Sequence, residues 1–207
     1  MASMTTSHSV PAPLRATRAL EQEASLDVGV DALQPVADAI AGSPFAPWLR
    51  GERIGHAVHP VMTDLPIGFF VSSTALDLLG GKATRTGADR LLGLGLLSTI
   101  PTVVTGLADW ATASRETKRV GVVHALANEL AATAYGFSWV ARRGGRRGLG
   151  VALSLVGGAA LGVGGYLGGH LALERKHAPS PDGAEEPTTA PGSPDRARHL
   201  AEDDGDE

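Results

Sequence analysis

The sequence predicts an all-α fold: a four-span transmembrane helical bundle with an amphipathic N-terminal helical arm and a disordered C-terminal tail. Three observations predict it. Charged residues make up only 19% of the 207 and are segregated, so that residues 64–173 are apolar while both flanks are polar. The apolar part falls into four runs separated by short basic connections, each run near the ~20 residues that cross a hydrocarbon core. Glycine, 27 residues in all, is concentrated in the same part, which suits helices packed closely in lipid. The boundaries expected are 1–47 for a disordered start and the helical arm, 48–173 for the membrane domain, and 174–207 for a disordered acidic tail.

Composition excludes several chemistries. The chain has no cysteine, so disulfides, zinc–thiolate sites, iron–sulfur clusters on this chain and cysteine nucleophiles are ruled out. The net charge of −4 comes largely from the acidic tail and points to no nucleic-acid partner. Residues 1–18 lack an uninterrupted apolar core, so no secretory signal peptide is expected.

The elements follow in order. Residues 1 to about 12 are small and polar, and disorder is expected there. Leu14, Leu20, Leu26, Leu33, Val36 and Ile40 recur at loosely helical spacing, predicting one or two amphipathic helices that break near Gly29 or Pro35. Pro44, Pro47 and Trp48 mark a turn at the interface. The first span is expected over about 65–79, extended to 60–81 to reach crossing length, with Thr63 or Asp64 as cap and Pro66 in the first turn. The second covers about 88–108 and contains Pro101, which frees a carbonyl that a neighbour must help satisfy. The third covers about 120–140 and the fourth about 148–173; the shortness of the first span leaves three spans with a re-entrant segment as the alternative. In the fourth, Gly150, Ser154, Gly158 and Gly162 stand four apart, as do Ala160, Gly164 and Gly168, forming small-residue stripes.

Topology then gathers polar residues. In an up-down-up-down bundle, His56 and His59 before the first span, Asp109 after the second, His124 early in the third and His170 late in the fourth share one face. Neutral imidazole is a common metal ligand, and histidines on facing helices can hold haem. His56, His59, His124 and His170 are therefore the candidate ligands of a haem or a divalent metal, with Asp64, Asp109, Asn128 and Glu129 in support. The competing reading is a polar network without cofactor, in which histidines bond loop carbonyls and Asp109 pairs with Arg115 or Arg53. Glu129, inside the third span, is expected to face the bundle interior or to snorkel, and carries a third reading, a proton or small-solute pathway. Asp77 is expected to pair with Arg85 or Arg142. No nucleophile elbow, phosphate loop, metalloprotease helix or dinucleotide fingerprint occurs, which points away from an enzyme.

Basic residues near span ends number seven on each face, so the positive-inside rule is tied. Charge density favours the four-arginine turn at 142–147 as cytoplasmic, whereas the long polar N-terminal segment without a signal favours cytoplasmic termini, and the latter is the orientation expected here. A multi-pass protein of the inner (plasma) membrane is expected, surrounded by lipid and open to homo-oligomerisation.

The motifs Gly55-His56-Ala57-Val58-His59-Pro60 and Thr63-Asp64-Leu65-Pro66-Ile67-Gly68 resemble a bacterial membrane-protein family, domain of unknown function 2231. Further matches are Ala88-Asp89-Arg90, Thr105-Gly106-Leu107-Ala108-Asp109-Trp110, Val120-Gly121-Val122-Val123-His124-Ala125 and Tyr166-Leu167-Gly168-Gly169-His170-Leu171. The resemblance covers roughly residues 48–173 and implies a multi-span membrane domain. Some members of that family carry a Rieske-type iron–sulfur domain after the segment matching residues 166–173, which implies a redox-associated membrane anchor. This chain departs there, having no cysteine and an acidic tail, so the resemblance implies a separate redox protein as partner.

Overall fold

A computed structural model describes residues 11–177. The disorder expected in the first ten residues and in 178–207 lies outside these residues. Helices α1 (Ala12–Gln22), α2 (Asp27–Ala41) and the single turn α3 (Ala46–Leu49) precede four long ones. These are α4 (Val58–Leu79), α5 (Arg85–Trp110), α6 (Arg115–Arg143) and α7 (Arg147–His177).

Three of the long helices, α4, α5 and α7, are long and apolar enough to cross a membrane. Only 17–22% of their apolar windows is buried inside the protein. The bundle is consequently built inside out relative to a water-soluble one. Leu97, Ile100 and Val103 of α5, Leu126, Leu130 and Phe137 of α6, and Val156 and Val163 of α7 are all exposed. The interior holds Ser73, Ala88, Thr105, Ala108, Ala131, Ser138 and Ser154, with Phe70, Leu92 and Tyr135 as its large members. Small and hydroxyl-bearing residues let backbones approach and bond across helices, which is how bundles associate where lipid removes the hydrophobic drive. Phe70 of α4 stacks on Tyr135 of α6 at 3.9 Å between ring centroids. Gly95 of α5 makes room for this stack, since a Cβ there would lie 2.5 Å from the Phe70 ring.

Two expectations about α4 need correction. Its N-cap is the extended Ala57, so the helix starts earlier than Thr63 or Asp64. Pro60, not Pro66, occupies the first turn, where its missing N–H costs nothing. Thr63 bonds back to the Pro60 carbonyl at 2.6 Å, and Asp64 is an exposed helical residue rather than a cap. Pro66 lies inside the helix and is buried. It therefore deprives the Met62 carbonyl of its usual donor. Thr102 of α5 supplies the replacement, donating its hydroxyl to Met62 at 2.9 Å. The cross-helix repair anticipated at Pro101 is thus made at Pro66, while α5 runs continuously through the exposed Pro101.

The small-residue stripes of α7 also shift. Gly150 and Ser154 are buried as expected, but the stripe continues through Gly157, whereas Gly158 and Gly162 are exposed. The second stripe packs: a Cβ on Gly164 would meet Asn128 at 2.6 Å, and one on Gly168 would meet His124 at 2.9 Å.

Candidate functional site

The histidine face is built by the ends of α4, α5, α6 and α7, but it does not bring four imidazoles together. His59, in the first turn of α4, reaches across to α5, where its Nδ1 lies 3.0 Å from the Thr102 carbonyl and 3.3 Å from the Thr105 hydroxyl. Gly106 gives the ring its place, since a Cβ there would come within 2.8 Å of it. His124 of α6 sets its Nδ1 at 2.8 Å from the Gly164 carbonyl of α7. Asn128, one turn on, donates to the His124 carbonyl at 2.9 Å and lies against the imidazole, as their spacing predicts. The two rings meet edge-on with centroids 6.4 Å apart.

The other two candidates go elsewhere. His56 is exposed in the loop before α4, where the αL residue Gly51 (φ +81°) folds the backbone against the His56 carbonyl. His170 places its Nε2 2.9 Å from the Glu21 carboxylate of α1. Asp109 is buried at the end of α5. Of the two partners expected for it, Arg115 is instead bonded to Asp27 and Asp31 of α2, and Arg53 is exposed in the loop before α4.

Among the described residues no group of three or more histidine or carboxylate side chains is placed to hold a metal ion. As placed, these donors form no set of three that could hold a divalent metal. Two of the four rings are turned onto backbone carbonyls, one is exposed and one is turned onto a carboxylate. Each of these contacts joins two segments of the fold, which is the geometry of a polar lock.

The same face receives the N-terminal helices. Arg119 grips Asp27 in a forked contact, Nε to Oδ1 at 2.7 Å and Nη2 to Oδ2 at 2.9 Å, and also donates to the Glu21 carbonyl at 2.9 Å. Lys118 donates to Gln34 at 2.9 Å and stands over the Trp110 ring. The Arg119 hydrogen bonds, with those of Arg115, hold the Asp27 carboxyl at about 2, below its usual range. A carboxyl depressed in the folded state contributes stability above its unfolded pKa and loses it as pH falls through the folded value. Hydrogen exchange should therefore find α1 and α2 docked at pH 4, with protection of residues 12–41 lost only as pH approaches 2.

At the opposite end lies a constellation that sequence reading reached only in part. Arg142 of α6 has a fully buried side chain, and so does Asp77 of α4. Their Nη2 and Oδ2 are 2.6 Å apart, an ion pair without hydrogen-bond alignment. Arg142 also reaches Asp89 of α5 at 3.2 Å, Ser138 at 3.1 Å and Ser154 of α7 at 2.8 Å. Ser138 in turn donates to the Gly150 carbonyl at 2.6 Å. Arg147, at the start of α7, bridges Asp77 and Asp89. Two acids and two bases thus tie all four long helices together. The Asp77–Arg142 pair matches expectation, whereas Arg85 contributes only its carbonyl, to Arg147. Asp89, Arg147, Ser138 and Ser154 were missed. The available signal was spacing, because Ser138 and Arg142 are four apart on α6, as are Gly150 and Ser154 on α7.

Glu129 departs furthest from expectation. It is exposed on the outer surface of α6, neither inside the bundle nor near a helix end. It sits at the midpoint of the 29-residue helix, with only a long 3.4 Å contact from Thr133. An interior proton or solute pathway through Glu129 has no geometric basis in this arrangement.

No curated protein and no solved structure matches the chain. A family model described as "Predicted membrane protein (DUF2231)" matches residues 55–179, more than half of the sequence. The match begins at the glycine preceding His56 and covers α4 to α7, leaving α1 and α2 outside it, so the chain belongs to the membrane-protein family of domain of unknown function 2231.

Proposed function

We propose that this protein is a cofactor-free interaction module of the inner membrane, a rigid four-span bundle that associates with a second copy of itself through the outer face of α6. Glu129 carries the proposal. An ionisable side chain at mid-depth is costly against lipid and is normally turned to protein or water. Here it is turned outward, between exposed Leu126, Leu130 and Phe137. In a parallel dimer built on this face, Glu129 meets its mate at the same depth, with the Thr133 hydroxyls one turn away as donors.

α6 is taken as the fourth span on three grounds. It is as long as its neighbours, and its charges other than Glu129 lie in its first five and last two residues. Its lower hydropathy comes from His124, Asn128 and Glu129, of which His124 and Asn128 face protein and only Glu129 is turned outward. Four crossings return both termini to one side, taken as cytoplasmic in this proposal, with α1 and α2 as an arm on that face. A second orientation, with the two basic loops cytoplasmic, is favoured by one observation. Lys82, Arg85, Arg90 and Arg146 have no acidic partner among the described residues, while Arg50, Arg115 and Arg119 do.

Dilution-dependent energy transfer between labelled copies in lipid vesicles tests the module. The wild type should associate, and Glu129→Leu, which better suits a lipid-facing helix, should weaken association by about tenfold or more. Association unaffected by Glu129→Leu would overturn the assignment of this face. The same purified sample should show no haem band and no stoichiometric metal.

A further inference from the structure

A second site lies on the membrane rim at the end opposite the histidines. A cleft of about 300 Å³ opens between the α4–α5 turn and the first turn of α7. Lys82, Arg85, Arg147 and Gly148 line it, with Asp77 at its floor and Val151 on its wall.

Its charge balance is uneven. The Asp77 and Asp89 carboxylates are matched by Arg142 and Arg147, so the floor is neutral. Lys82 and Arg85 are exposed and have no acidic partner among the described residues, leaving two uncompensated positive charges at the mouth. The start of α7 adds the unsatisfied N–H groups and positive end of a long helix. Nothing stands within 4 Å of where a Gly148 side chain would begin, so this backbone is open to approach.

The flanks are apolar. Leu78 and Leu79 at the end of α4 are 59% and 87% exposed, and Leu149 beside Gly148 is 50% exposed. These leucines stand at the ends of two helices able to cross a membrane, the level at which headgroups meet acyl chains. Basic residues over a polar floor, with leucines beside them, suit a ligand having one phosphate and long hydrocarbon chains.

We propose that this cleft binds the phosphate of an anionic phospholipid, with Lys82 and Arg85 as its cationic contacts and the leucine flanks against the acyl chains. The phosphodiester meets the two free cations and the α7 N-terminus, and the ion-pair floor keeps Asp77 from repelling it. The site requires no partner chain, and from α6 it uses only the buried Arg142 beneath its floor.

The test uses the full chain in a neutral detergent. Native mass spectrometry counts retained lipid after addition of phosphatidylglycerol or phosphatidylcholine, and thermal stability is followed with each lipid and with inorganic phosphate. Phosphatidylglycerol should be retained and should raise the melting temperature, and phosphatidylcholine should do neither. The double variant Lys82→Gln/Arg85→Gln changes only exposed side chains. It should weaken phosphatidylglycerol retention about twenty-five-fold, roughly fivefold per charge removed near a membrane surface. Stabilisation by inorganic phosphate alone would assign the site to free phosphate, while stabilisation only by phosphatidylglycerol assigns it to lipid. Equal retention of the two lipids, or a double variant that binds like the wild type, would overturn the proposal.

Discussion

Replacing Arg142 by methionine should lower the unfolding free energy by about 3–5 kcal/mol, the cost of stranding one partner of a buried ion pair. The guanidinium is fully buried and serves two carboxylates and two hydroxyls on four helices. Its removal leaves the fully buried Asp77 carboxylate with Arg147 alone, which is 20% exposed. Two companion variants separate charge from packing. Asp77→Asn combined with Arg142→Met removes both charges and should recover much of the loss, because an absent pair costs far less than a broken one. Arg142→Lys should recover little, since an ammonium cannot reproduce the fork that reaches Asp77, Asp89 and Ser154 together. Denaturation by titrating sodium dodecyl sulfate into mixed micelles reads all three. A loss below about 1 kcal/mol for Arg142→Met would mean that water or lipid headgroups already screen the pair.

The second large effect concerns the contact of α6 with α7. A Cβ on Gly157 would lie 3.0 Å from the Tyr135 ring and 3.2 Å from the Ala131 carbonyl. A side chain can turn aside, but a helix backbone cannot without moving the helix. Gly157→Val should therefore part the two helices and cost about 3 kcal/mol, at the upper end of overpacking penalties. The control is on the same helix, where Gly162 has nothing within 4 Å of a built Cβ and faces outward. Gly162→Val should be close to neutral. The contrast matters because the two glycines look alike in sequence, and only their angular position on α7 separates them. The same titration read on both variants gives the comparison.

What could be read from the sequence follows from where the information lies. Order and approximate limits of the four long helices were legible because apolar runs and basic connections are local signals, whereas the N-terminal arm breaks at residues 23–26 and α2 runs on through Gly29 and Pro35. The pairing of Asp77 with Arg142 was legible because topology alone brings those ends together. The face of each helix was not. Gly158 was placed in the stripe that Gly157 occupies, a shift of one residue that turns the contact by about a hundred degrees. Glu129 is expected inside or snorkelling to an interface because a charge in a span ordinarily hides, and nothing local says that α6 keeps Asn128 inward instead. The start of α4 was misplaced for a related reason, since Pro60 and Pro66 are equivalent as sequence signals. Only the Thr102 hydroxyl, forty residues away on α5, reveals which proline needed a repaired carbonyl. The histidines show the limit most clearly. Shared depth was predicted from topology, but shared depth is not shared contact. His59 and His124 approach each other, while His170 closes onto α1 and His56 stays outside.

This picture gives the two polar clusters one role. The histidine contacts and the Asp27 fork close one end, and the Arg142 cage closes the other. Between them, hydroxyls and glycines hold the helices close while leucines face outward. A bundle locked at both ends has little freedom to open a path through its middle, so its activity is expected at its surface. The outer face of α6 is the part of that surface that lipid alone does not suit.

The most direct measurement uses the absence of cysteine. Single cysteines at Leu126 and Phe137 on the outer face of α6, and at Val156 on α7, are oxidised in native membranes and the dimer fraction is read on a gel. All three positions are more than half exposed, so reactivity alone does not separate them. Disulfide dimers should form at Leu126→Cys and Phe137→Cys and not at Val156→Cys, and Glu129→Leu should suppress them. Equal cross-linking at all three, or none on α6, would contradict an α6 interface and leave Glu129 facing lipid.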